Sequence, residues 1–478
     1  MHVRKVDVAV VGAGTAGLNA RREAERQGAS TLLIESGPYG TMCARVGCMP
    51  SKLLIAAADA AHAVGRADEF GIRVPSGVRV DASAVLGRVR RERDRFVGFV
   101  VDDTAALPEA VRIRGHARFA APGVLQVEGH TRVEAKAVVL AVGSSPVVLP
   151  QLEKVRDRVL VNDDVFELDD LPESIAVIGS GIIALELGQA LRRLGVRITL
   201  FARSQRVGPF TDPEVMAAAR ELFSRELEIR LSVGFEADDG SGGGVRIRWN
   251  DAAGGRGEEE FERVLSATGR RPNLEGLDLA RAGIELDDHG MPSLDPRTGR
   301  IGDSSVFIAG DATGDRALLH EAADEGRIAG FNAANPGEIR AHHRRVPLSI
   351  AFCDPQIGLV GRSHRALDPE RIEIGSVDYG DQGRARVMGQ LGGLVRIYGD
   401  RESGRLLGAE MLGPRVEHTA HLLAWVIQQG LTVDRVLELP FYHPVIEEGI
   451  RSALRDLGRR LELTPAPCAR DLDCGPGA

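Results

Sequence analysis

The 478-residue chain is long enough for three or four domain-sized cores, and its 43% hydrophobic content is typical of a globular protein. A formal net charge of −8 and a pI near 5.9 argue against nucleic-acid or membrane-surface binding. No apolar run approaches the roughly 20 residues that span a bilayer, and the run at residues 6–11 is too short for a signal-peptide core. We therefore expect a cytoplasmic protein without nucleic-acid or membrane partners, in a reducing compartment where a cysteine pair is more often catalytic than structural.

The N-terminal residues carry the pattern of a dinucleotide-binding unit. The predicted order is strand, helix, strand, over residues 6–11, 18–27 and 30–34. Gly12, Gly14 and Gly17 follow the first strand, where glycines let the backbone approach a pyrophosphate at the helix N-terminus. Glu35 has the spacing of a carboxylate that binds a ribose hydroxyl. Together these features predict a bound dinucleotide.

Two cysteines follow this unit and are the only cysteines in the first 350 residues. In a straight helix Cys43 and Cys48 would lie about 140° apart around the axis, whereas a disulfide needs Cα atoms roughly 4.4–6.8 Å apart. A bridge therefore requires a distorted helix start, for which Gly47 and Pro50 are suitable residues. The alternative is a pair of buried free thiols, since cysteine is often a core residue.

A second dinucleotide pattern begins near residue 175. A strand over residues 175–178 leads into Gly179, Gly181 and Ala184, then a helix and a strand over residues 197–201. Two such units predict two dinucleotides and electron transfer between a flavin and a nicotinamide. The alternative is a duplicated fold in which one site is dead.

Charge at the end of the second unit bears on its ligand. NAD enzymes place a carboxylate after the second strand, whereas NADP enzymes lack it and supply arginine for the 2′-phosphate. Here Ala202 takes the acid position, followed by Arg203, with Arg206 nearby. NADP is therefore favoured over NAD. The alternative is that Arg203 is a solvated loop residue and NAD binds.

The remaining segments are predicted more coarsely. Residues 55–101 read as helical, and residues 238–260 as hairpin loops without chemistry. Buried strands that end in turns are predicted at residues 138–146, 264–273 and 306–312. From about residue 340 the pattern changes to strands and amphipathic helices.

The stretch G-T-M-C-A-R-V-G-C-M-P-S-K, residues 40–52, resembles the redox-active disulfide of the flavoprotein disulfide reductases. This family includes dihydrolipoyl dehydrogenase, glutathione reductase and mercuric reductase, and its usual form is G-G-T-C-x-N-V-G-C-x-P-S-K. The sequence departs from that form at Met42, where Thr is usual, and at Arg45, where Asn is usual. With the other motifs, the resemblance extends from residue 6 to about residue 461.

The resemblance implies an α/β fold with two Rossmann-like dinucleotide-binding domains, for FAD and NAD(P), and a C-terminal α+β dimerisation domain. It divides the chain into an FAD-binding first part (1–149), an NAD(P)-binding domain (150–272), a return segment of the FAD-binding or central domain (273–340), a dimerisation domain (341–463) and a cysteine-containing tail (464–478).

Further FAD contacts are implied outside the first glycine loop. Gly143 lies in a strand-ending turn that resembles a family motif, and Asp311 would accept a hydrogen bond from the ribitol chain. Gly269, in the return strand and turn over residues 264–273, is a further predicted cofactor-binding residue. A helix opens at Leu319, and its N-terminus would face the flavin, where the helix dipole favours the negative charge of reduced flavin.

Four more side chains have roles implied by the resemblance. Glu186 lies in an apolar stretch and needs a partner, which would be Lys52, beside flavin N5. In the motif H-P-x-x-x-E, Glu448 would orient His443 and fix its tautomer. The family contributes this pair from the second subunit, which implies an obligate homodimer.

The implied chemistry runs between nicotinamide, FAD, the cysteine pair and a substrate disulfide. Cys48 would carry the charge-transfer thiolate and Cys43 would exchange with the substrate sulfur, while His443 of the partner subunit moves the proton. No resident metal is expected. The preferred hypothesis is an oxidoreductase of dihydrolipoyl dehydrogenase type, acting on a small or protein-bound dithiol or disulfide such as lipoyl.

Three alternatives remain open: a reductase of another disulfide, as in glutathione reductase, a reductase of a metal ion, as in mercuric reductase, and a non-catalytic FAD-binding scaffold subunit. In the tail, Cys468 and Cys474 lie among prolines and glycines. They are either a second redox pair that relays electrons from the active-site dithiol or two unpaired thiols.

Overall fold

The computed structural model describes residues 2–75, 77, 79–251 and 254–463. The predicted relay pair, Cys468 and Cys474, lies outside the described residues. The boundaries of the five predicted segments stay predictions.

The elements of the first segment alternate between strands and helices before a run of short strands. They are β1 (His2–Val11), α1 (Thr15–Arg26), β2 (Thr31–Glu35), α2 (Met42–Val46), α3 (Cys48–Gly65), α4 (Ala82–Ala105), β3 (Arg112–Arg114), β4 (Ala117–Ala121), β5 (Val124–Val127), β6 (Thr131–Leu140) and β7 (Ser144–Pro146).

The second segment repeats this alternation and adds a group of antiparallel strands. It contains β8 (Val159–Leu160), α5 (Asn162–Val165), β9 (Ser174–Ile178), α6 (Ile182–Arg193), β10 (Arg197–Ala202), α7 (Pro213–Ser224), β11 (Glu228–Leu231), β12 (Val233–Asp239), β13 (Val245–Asp251), β14 (Arg256–Phe261), β15 (Arg263–Ser266) and β16 (Arg270–Pro272).

The return segment and the C-terminal segment complete the fold. They contain β17 (Leu294–Asp295), β18 (Arg300–Ile301), β19 (Val306–Ile308), α8 (Leu319–Ala334), β20 (Leu348–Ala351), β21 (Gln356–Gly361), β22 (Ile372–Asp378), α9 (Gly383–Val387), β23 (Leu394–Asp400), β24 (Leu406–Gly413), α10 (Val416–Gln428), α11 (Val433–Leu437) and α12 (Glu448–Arg460).

The first sheet joins two distant parts of the chain. Its path is β17-β18-β19-β6-β1-β2-β3, and β1 pairs in parallel with both β2 and β6. Strand β19 returns beside β6, also in parallel, with Val306 opposite Val138. Helix α8 packs closely on α1, because a Cβ on Gly326 would lie 2.3 Å from the carbonyl oxygen of Ala16. The return segment thereby completes the unit that begins at β1.

The second segment forms its own parallel sheet, in the order β11-β10-β9-β15-β8, and the antiparallel sheet β12-β13-β14. The C-terminal segment forms the antiparallel sheet β20-β21-β24-β23-β22, and its buried face packs on α10 and α12. One apolar core links these parts, with Leu54 of α3, Leu185 of α6 and Ile357 of β21 all buried in it. The predicted α/β class, with two Rossmann-like units and a C-terminal α+β part, is confirmed.

Two sequence predictions were wrong in detail. Residues 55–101 do not form one helical stretch, because α3 ends at Gly65 and Gly71 adopts a left-handed φ of +76° in the connection to α4. Residues 238–260 are not mainly loops. Most of them form β13 and β14, which pair in antiparallel fashion.

Candidate functional site

The glycines after β1 form a backbone cradle that a side chain would fill. Gly12 has a φ of +108°, and a Cβ there would lie 2.2 Å from the carbonyl oxygen of Ala141. A Cβ on Gly17 would lie 1.9 Å from the carbonyl oxygen of Gly12, whereas one on Gly14 would meet nothing within 4 Å. The first and third glycines are therefore required by packing, and the second leaves open space beside the helix N-terminus, as dinucleotide binding requires.

Glu35 lies at the edge of the same cleft, which has a volume of about 840 Å³. Its carboxylate accepts hydrogen bonds of 2.7 Å from the backbone N–H groups of Ala13 and Gly37. These bonds hold the carboxylate at the glycine loop, where the ribose hydroxyls of a dinucleotide would reach it. The donor set and the cradle fit FAD.

Three other predicted cofactor contacts, Gly143, Gly269 and Asp311, follow the ends of strands β6, β15 and β19. Asp311 accepts a hydrogen bond of 3.0 Å from the hydroxyl of Ser144, next to Gly143. Gly269 has a φ of +110°, and its carbonyl oxygen accepts from the N–H of Val147 at 3.0 Å. Helix α8 begins at Leu319, as predicted. The structure therefore brings Gly143 and Asp311 together, while the contacts of these residues with FAD stay predictions.

The two cysteines lie on different helices. Cys43 belongs to α2 and Cys48 begins α3, because Gly47 breaks the helix with a φ of −119° and a ψ of −117°. Both are free thiols in this structure, and their Sγ atoms share a hydrogen bond. The break predicted from Gly47 is confirmed.

This hydrogen bond makes the two sulfurs unequal. Donation from Cys43 is the largest cause that lowers the pKa of Cys48. The positive charge of Lys52 acts in the same direction, burial acts against both, and the resulting pKa is about 7. The same hydrogen bond, together with burial, raises the pKa of Cys43. Cys48 is therefore the more acidic thiol of the pair.

The ion pair expected between Lys52 and Glu186 is present. Lys52 Nζ lies 3.0 and 2.9 Å from Oε1 and Oε2 of Glu186, which is 5% exposed. The backbone N–H of Phe352 also donates to Glu186 at 2.7 Å, and Lys52 Nζ lies 4.8 Å from the centre of the Phe352 ring. The ammonium group is therefore held one helical turn after Cys48.

The pair expected between His443 and Glu448 is also present. Nδ1 of His443 lies 2.9 Å from Oε1 of Glu448, and the imidazole is 81% exposed. Burial alone would raise the pKa of Glu448, but hydrogen bonds from His443 and from the N–H of Val445 lower it overall. His443 forms no hydrogen bond with Cys43 or Cys48 within the described part of the chain.

The second glycine loop resembles the first in geometry. Gly179 has a φ of +125°, and a Cβ there would lie 2.4 Å from the carbonyl oxygen of Ala267, whereas Gly181 again faces open space. Ala184 is fully buried in α6, which explains why a small residue suffices at the third position.

The strand after this loop ends without an acid. Ala202 is buried at the end of β10, and the side chains of Arg203 and Arg206 are exposed beyond it. Neither guanidinium forms a hydrogen bond or ion pair with any residue of the described ranges. Two unpaired cations thus follow the position at which NAD enzymes place a carboxylate.

Sequence reasoning missed Arg270, which connects the second unit to α2. Its guanidinium donates to Met42 Sδ at 2.8 Å, to the carbonyl oxygen of Ser144 at 2.7 Å and to Asn162 Oδ1 at 3.2 Å. Asn162 in turn donates to the carbonyl oxygen of Val46, the last residue of α2. The two ends of the short cysteine-bearing helix are therefore held by one arginine.

Thr41 was also missed. It caps α2 with its hydroxyl and adopts a φ of +50° with a ψ of 149°, a conformation that suits glycine. The available signal was the usual G-G-T-C form, which has glycine at this position.

Comparisons with known proteins agree with this geometry. Residues 6–326 match the pyridine nucleotide-disulphide oxidoreductase family and residues 347–454 match its dimerisation domain. Dihydrolipoyl dehydrogenase 3 of Pseudomonas aeruginosa is 30% identical over 474 residues, covering 95% of this chain and 99% of that protein. Dihydrolipoyl dehydrogenase of Bacillus subtilis is 30% identical over 461 residues, covering 94% and 97%.

A solved structure shows the same fold. The HOCl-induced flavoprotein disulfide reductase RclA from Escherichia coli matches with a TM-score of 0.79 at 21% identity, covering 96% of this chain and all of that one. The family matches together span both dinucleotide units, the cysteine pair and the C-terminal sheet, and the chain therefore belongs to the pyridine nucleotide-disulphide oxidoreductase family.

Proposed function

We propose that the protein is an NADP(H)-dependent disulfide oxidoreductase of dihydrolipoyl dehydrogenase type. The observation that carries the proposal is the pair of thiols across Gly47, of which Cys48 has its pKa lowered to about 7, beside the Lys52–Glu186 ion pair. Bound FAD would supply the two-electron chemistry between the nicotinamide and this pair. It would be held by Gly12, Gly14, Gly17, Glu35, Gly143, Asp311 and the helix that begins at Leu319.

The chain's own thiols perform the exchange step. In the reduced pair, Cys43 gives up its proton and its sulfur attacks one sulfur of the substrate disulfide, which releases the first substrate thiolate. The Cys48 thiolate then attacks Cys43 Sγ, forms the Cys43–Cys48 disulfide and releases the second substrate thiolate. His443 of the partner subunit accepts the proton of Cys43 and returns it to a leaving thiolate, while the Glu448 carboxylate fixes the imidazole tautomer.

This proton transfer requires a homodimer. The support is the exposed imidazole of His443, its bond to Glu448 and the match of residues 347–454 to the family's dimerisation domain. The cytoplasmic location remains a prediction. No helix in the described ranges is both long and apolar enough to cross a bilayer.

The nicotinamide preference rests on the second unit. With Ala202 at the end of β10 and two unpaired arginines beyond it, this surface suits a 2′-phosphate better than two free hydroxyls. NADP is therefore proposed over NAD.

The substrate proposal draws on relatives named dihydrolipoyl dehydrogenase, which are about 30% identical over most of the chain. A turnover screen with lipoamide, glutathione disulfide and Hg(II), each with NADH and NADPH, tests it. The highest kcat/KM for lipoamide with the NADP couple would support the proposal. A higher kcat/KM for glutathione disulfide or for Hg(II) would favour a reductase of that substrate instead. A flavin-bound protein that is inactive on all three would favour a scaffold subunit.

The tail pair requires its own test. Thiol counting after anaerobic reduction by NADPH, in the full chain and in a chain that ends at Leu463, should show two additional thiols if Cys468 and Cys474 form a relay. Unchanged turnover of every substrate after truncation would reject the relay.

A further inference from the structure

Arg45 departs from the family's usual asparagine, and its side chain passes beside Gly40. Its backbone N–H donates to the carbonyl oxygen of Thr41 at 3.1 Å in the last turn of α2. A helical side chain leans towards the helix N-terminus, and here the Cγ and Cδ atoms of Arg45 pass beside Gly40, 3.2 and 3.1 Å from where a Cβ on that glycine would stand. The guanidinium is thus carried back along α2, towards its N-terminal end.

The electrostatic neighbours of Arg45 support this direction. The cation that lowers the pKa of Cys48 is Lys52, whereas the charge of Arg45 acts on Asp163, which lies on the wall of the FAD cleft. Arg45 itself lines that cleft, together with Gly12, Gly14 and Thr41. Its charge is therefore directed at the cleft.

Of the two arginines on the cleft wall, Arg45 is the one without an ion-pair partner among the described residues. In the described part of the chain the cleft wall carries two guanidinium groups, those of Arg45 and Arg271. Arg271 forms an ion pair of 2.5 Å with Glu275, whereas Arg45 forms no hydrogen bond or ion pair through its side chain with any described residue. On the opposite wall the Glu35 carboxylate is already bound by two backbone N–H groups.

We propose that Arg45 binds the pyrophosphate of FAD and supplies the full positive charge that the glycine loop lacks. The loop and the N-terminus of α1 offer backbone N–H groups and a partial dipole charge, while a pyrophosphate carries two negative charges. A guanidinium can donate two parallel hydrogen bonds to phosphate oxygens. The family's usual asparagine at this position is neutral, so the proposed contact depends on the charge of Arg45. The inference rests on the proposed flavin cofactor.

The test compares Arg45→Asn and Arg45→Lys with Arg271→Asn, which removes the paired arginine of the same cleft. Flavin fluorescence follows FAD release from the holoenzyme at low and high salt. We expect Arg45→Asn to release FAD about ten- to a hundredfold faster at low salt, with a smaller difference at high salt. Arg45→Lys should be intermediate and Arg271→Asn should equal the unaltered protein.

A second readout separates phosphate binding from a general change in the cleft. After FAD removal, Arg45→Asn should bind riboflavin, which has no phosphate, as well as the unaltered protein does. Equal release rates for Arg45→Asn and the unaltered protein, or equal weakening of FAD and riboflavin binding, would overturn the inference. Purified protein that lacks flavin absorbance would instead overturn the proposed function, so the two failures are distinguishable.

Discussion

Lys52 Nζ lies within 3.0 Å of both carboxylate oxygens of Glu186, so the helix that begins at Cys48 is bound to the helix that follows the second glycine loop. The link also reaches the C-terminal segment, because Glu186 accepts the backbone N–H of Phe352. One buried carboxylate thereby joins the helix of Cys48, the unit of the second glycine loop and the C-terminal segment.

Removing the cation from this pair should destabilise the fold. Lys52→Met leaves Glu186, which is 5% exposed, without a cation. Because the Lys52 side chain is about a third exposed, we expect a loss of about 1–3 kcal/mol in the free energy of unfolding. Adding Glu186→Gln should recover part of the loss, since a neutral amide needs no counter-charge. Urea unfolding measures both variants, and a double variant less stable than Lys52→Met would contradict this account.

The hydrogen bond from Cys43 should control the acidity of Cys48. Cys43→Ser keeps a donor, whereas Cys43→Ala removes it, so the pKa of Cys48 should remain near 7 in the first variant and rise in the second. The rate of Cys48 alkylation against pH, followed by peptide mass spectrometry, reports the thiolate fraction. If the alkylation rate of Cys48 has its midpoint at the same pH in both variants, Cys43 does not donate this hydrogen bond.

His443→Ala should separate the two half-reactions. Flavin reduction by the nicotinamide should remain nearly intact, while disulfide turnover should fall by a factor of about 10²–10⁴, the usual contribution of a general acid–base group. His418→Ala, which changes another exposed histidine of the C-terminal segment, is the control and should change neither. Stopped-flow reduction and steady-state turnover measure the two steps. If both slow equally, His443 has a structural role.

Arg203→Glu should raise the KM for NADPH at least tenfold, the approximate effect of losing a charge-assisted hydrogen bond, and should change the KM for NADH far less. Arg225→Glu is a suitable control, because Arg225 is exposed at the end of α7 and pairs with Glu221. Steady-state kinetics with each cofactor measures the two KM values. An equal rise in the KM for NADPH and for NADH would remove the argument for NADP.

Replacement of two glycines of the first loop by alanine should affect different properties, folding stability for Gly12 and FAD retention for Gly14. Gly12→Ala forces a Cβ to 2.2 Å from Ala141 at a positive φ, and should lower the free energy of unfolding by about 2 kcal/mol or more. Gly14→Ala meets no neighbour, so stability should change by about 0.5 kcal/mol or less while FAD retention falls. Chemical unfolding and flavin content measure the two effects. Gly14→Ala protein that retains full FAD would show that the pyrophosphate does not approach this residue.

Much of the candidate site could be predicted from short sequence motifs. The glycine loops, the helix break at Gly47 and the pairing of His443 with Glu448 each depend on residues close together in the chain, whose backbone requirements are local. Lys52 and Glu186 are distant in sequence, but a lone carboxylate in an apolar helix requires a cation, and the family resemblance supplied its partner.

What could not be predicted depends on tertiary packing. The contacts of Arg270 with Met42, Ser144 and Asn162 bring together three segments that have no local relationship. The break between α3 and α4 was missed although Asp81 caps α4 by accepting the N–H of Ala84, a local signal that apolar periodicity alone does not reveal.

The N-terminus of α7 is joined to the C-terminal sheet by two buried acids. Asp212, which is fully buried, binds Arg396 and Tyr398 of β23, and Glu410 of β24 accepts the N–H groups of Thr211 and Asp212. A fragment limited to residues 150–272 would leave the Asp212 carboxylate without its cation. An experiment that moves residues 150–272 into a relative, in order to change its nucleotide specificity, must therefore move Arg396, Tyr398 and Glu410 as well.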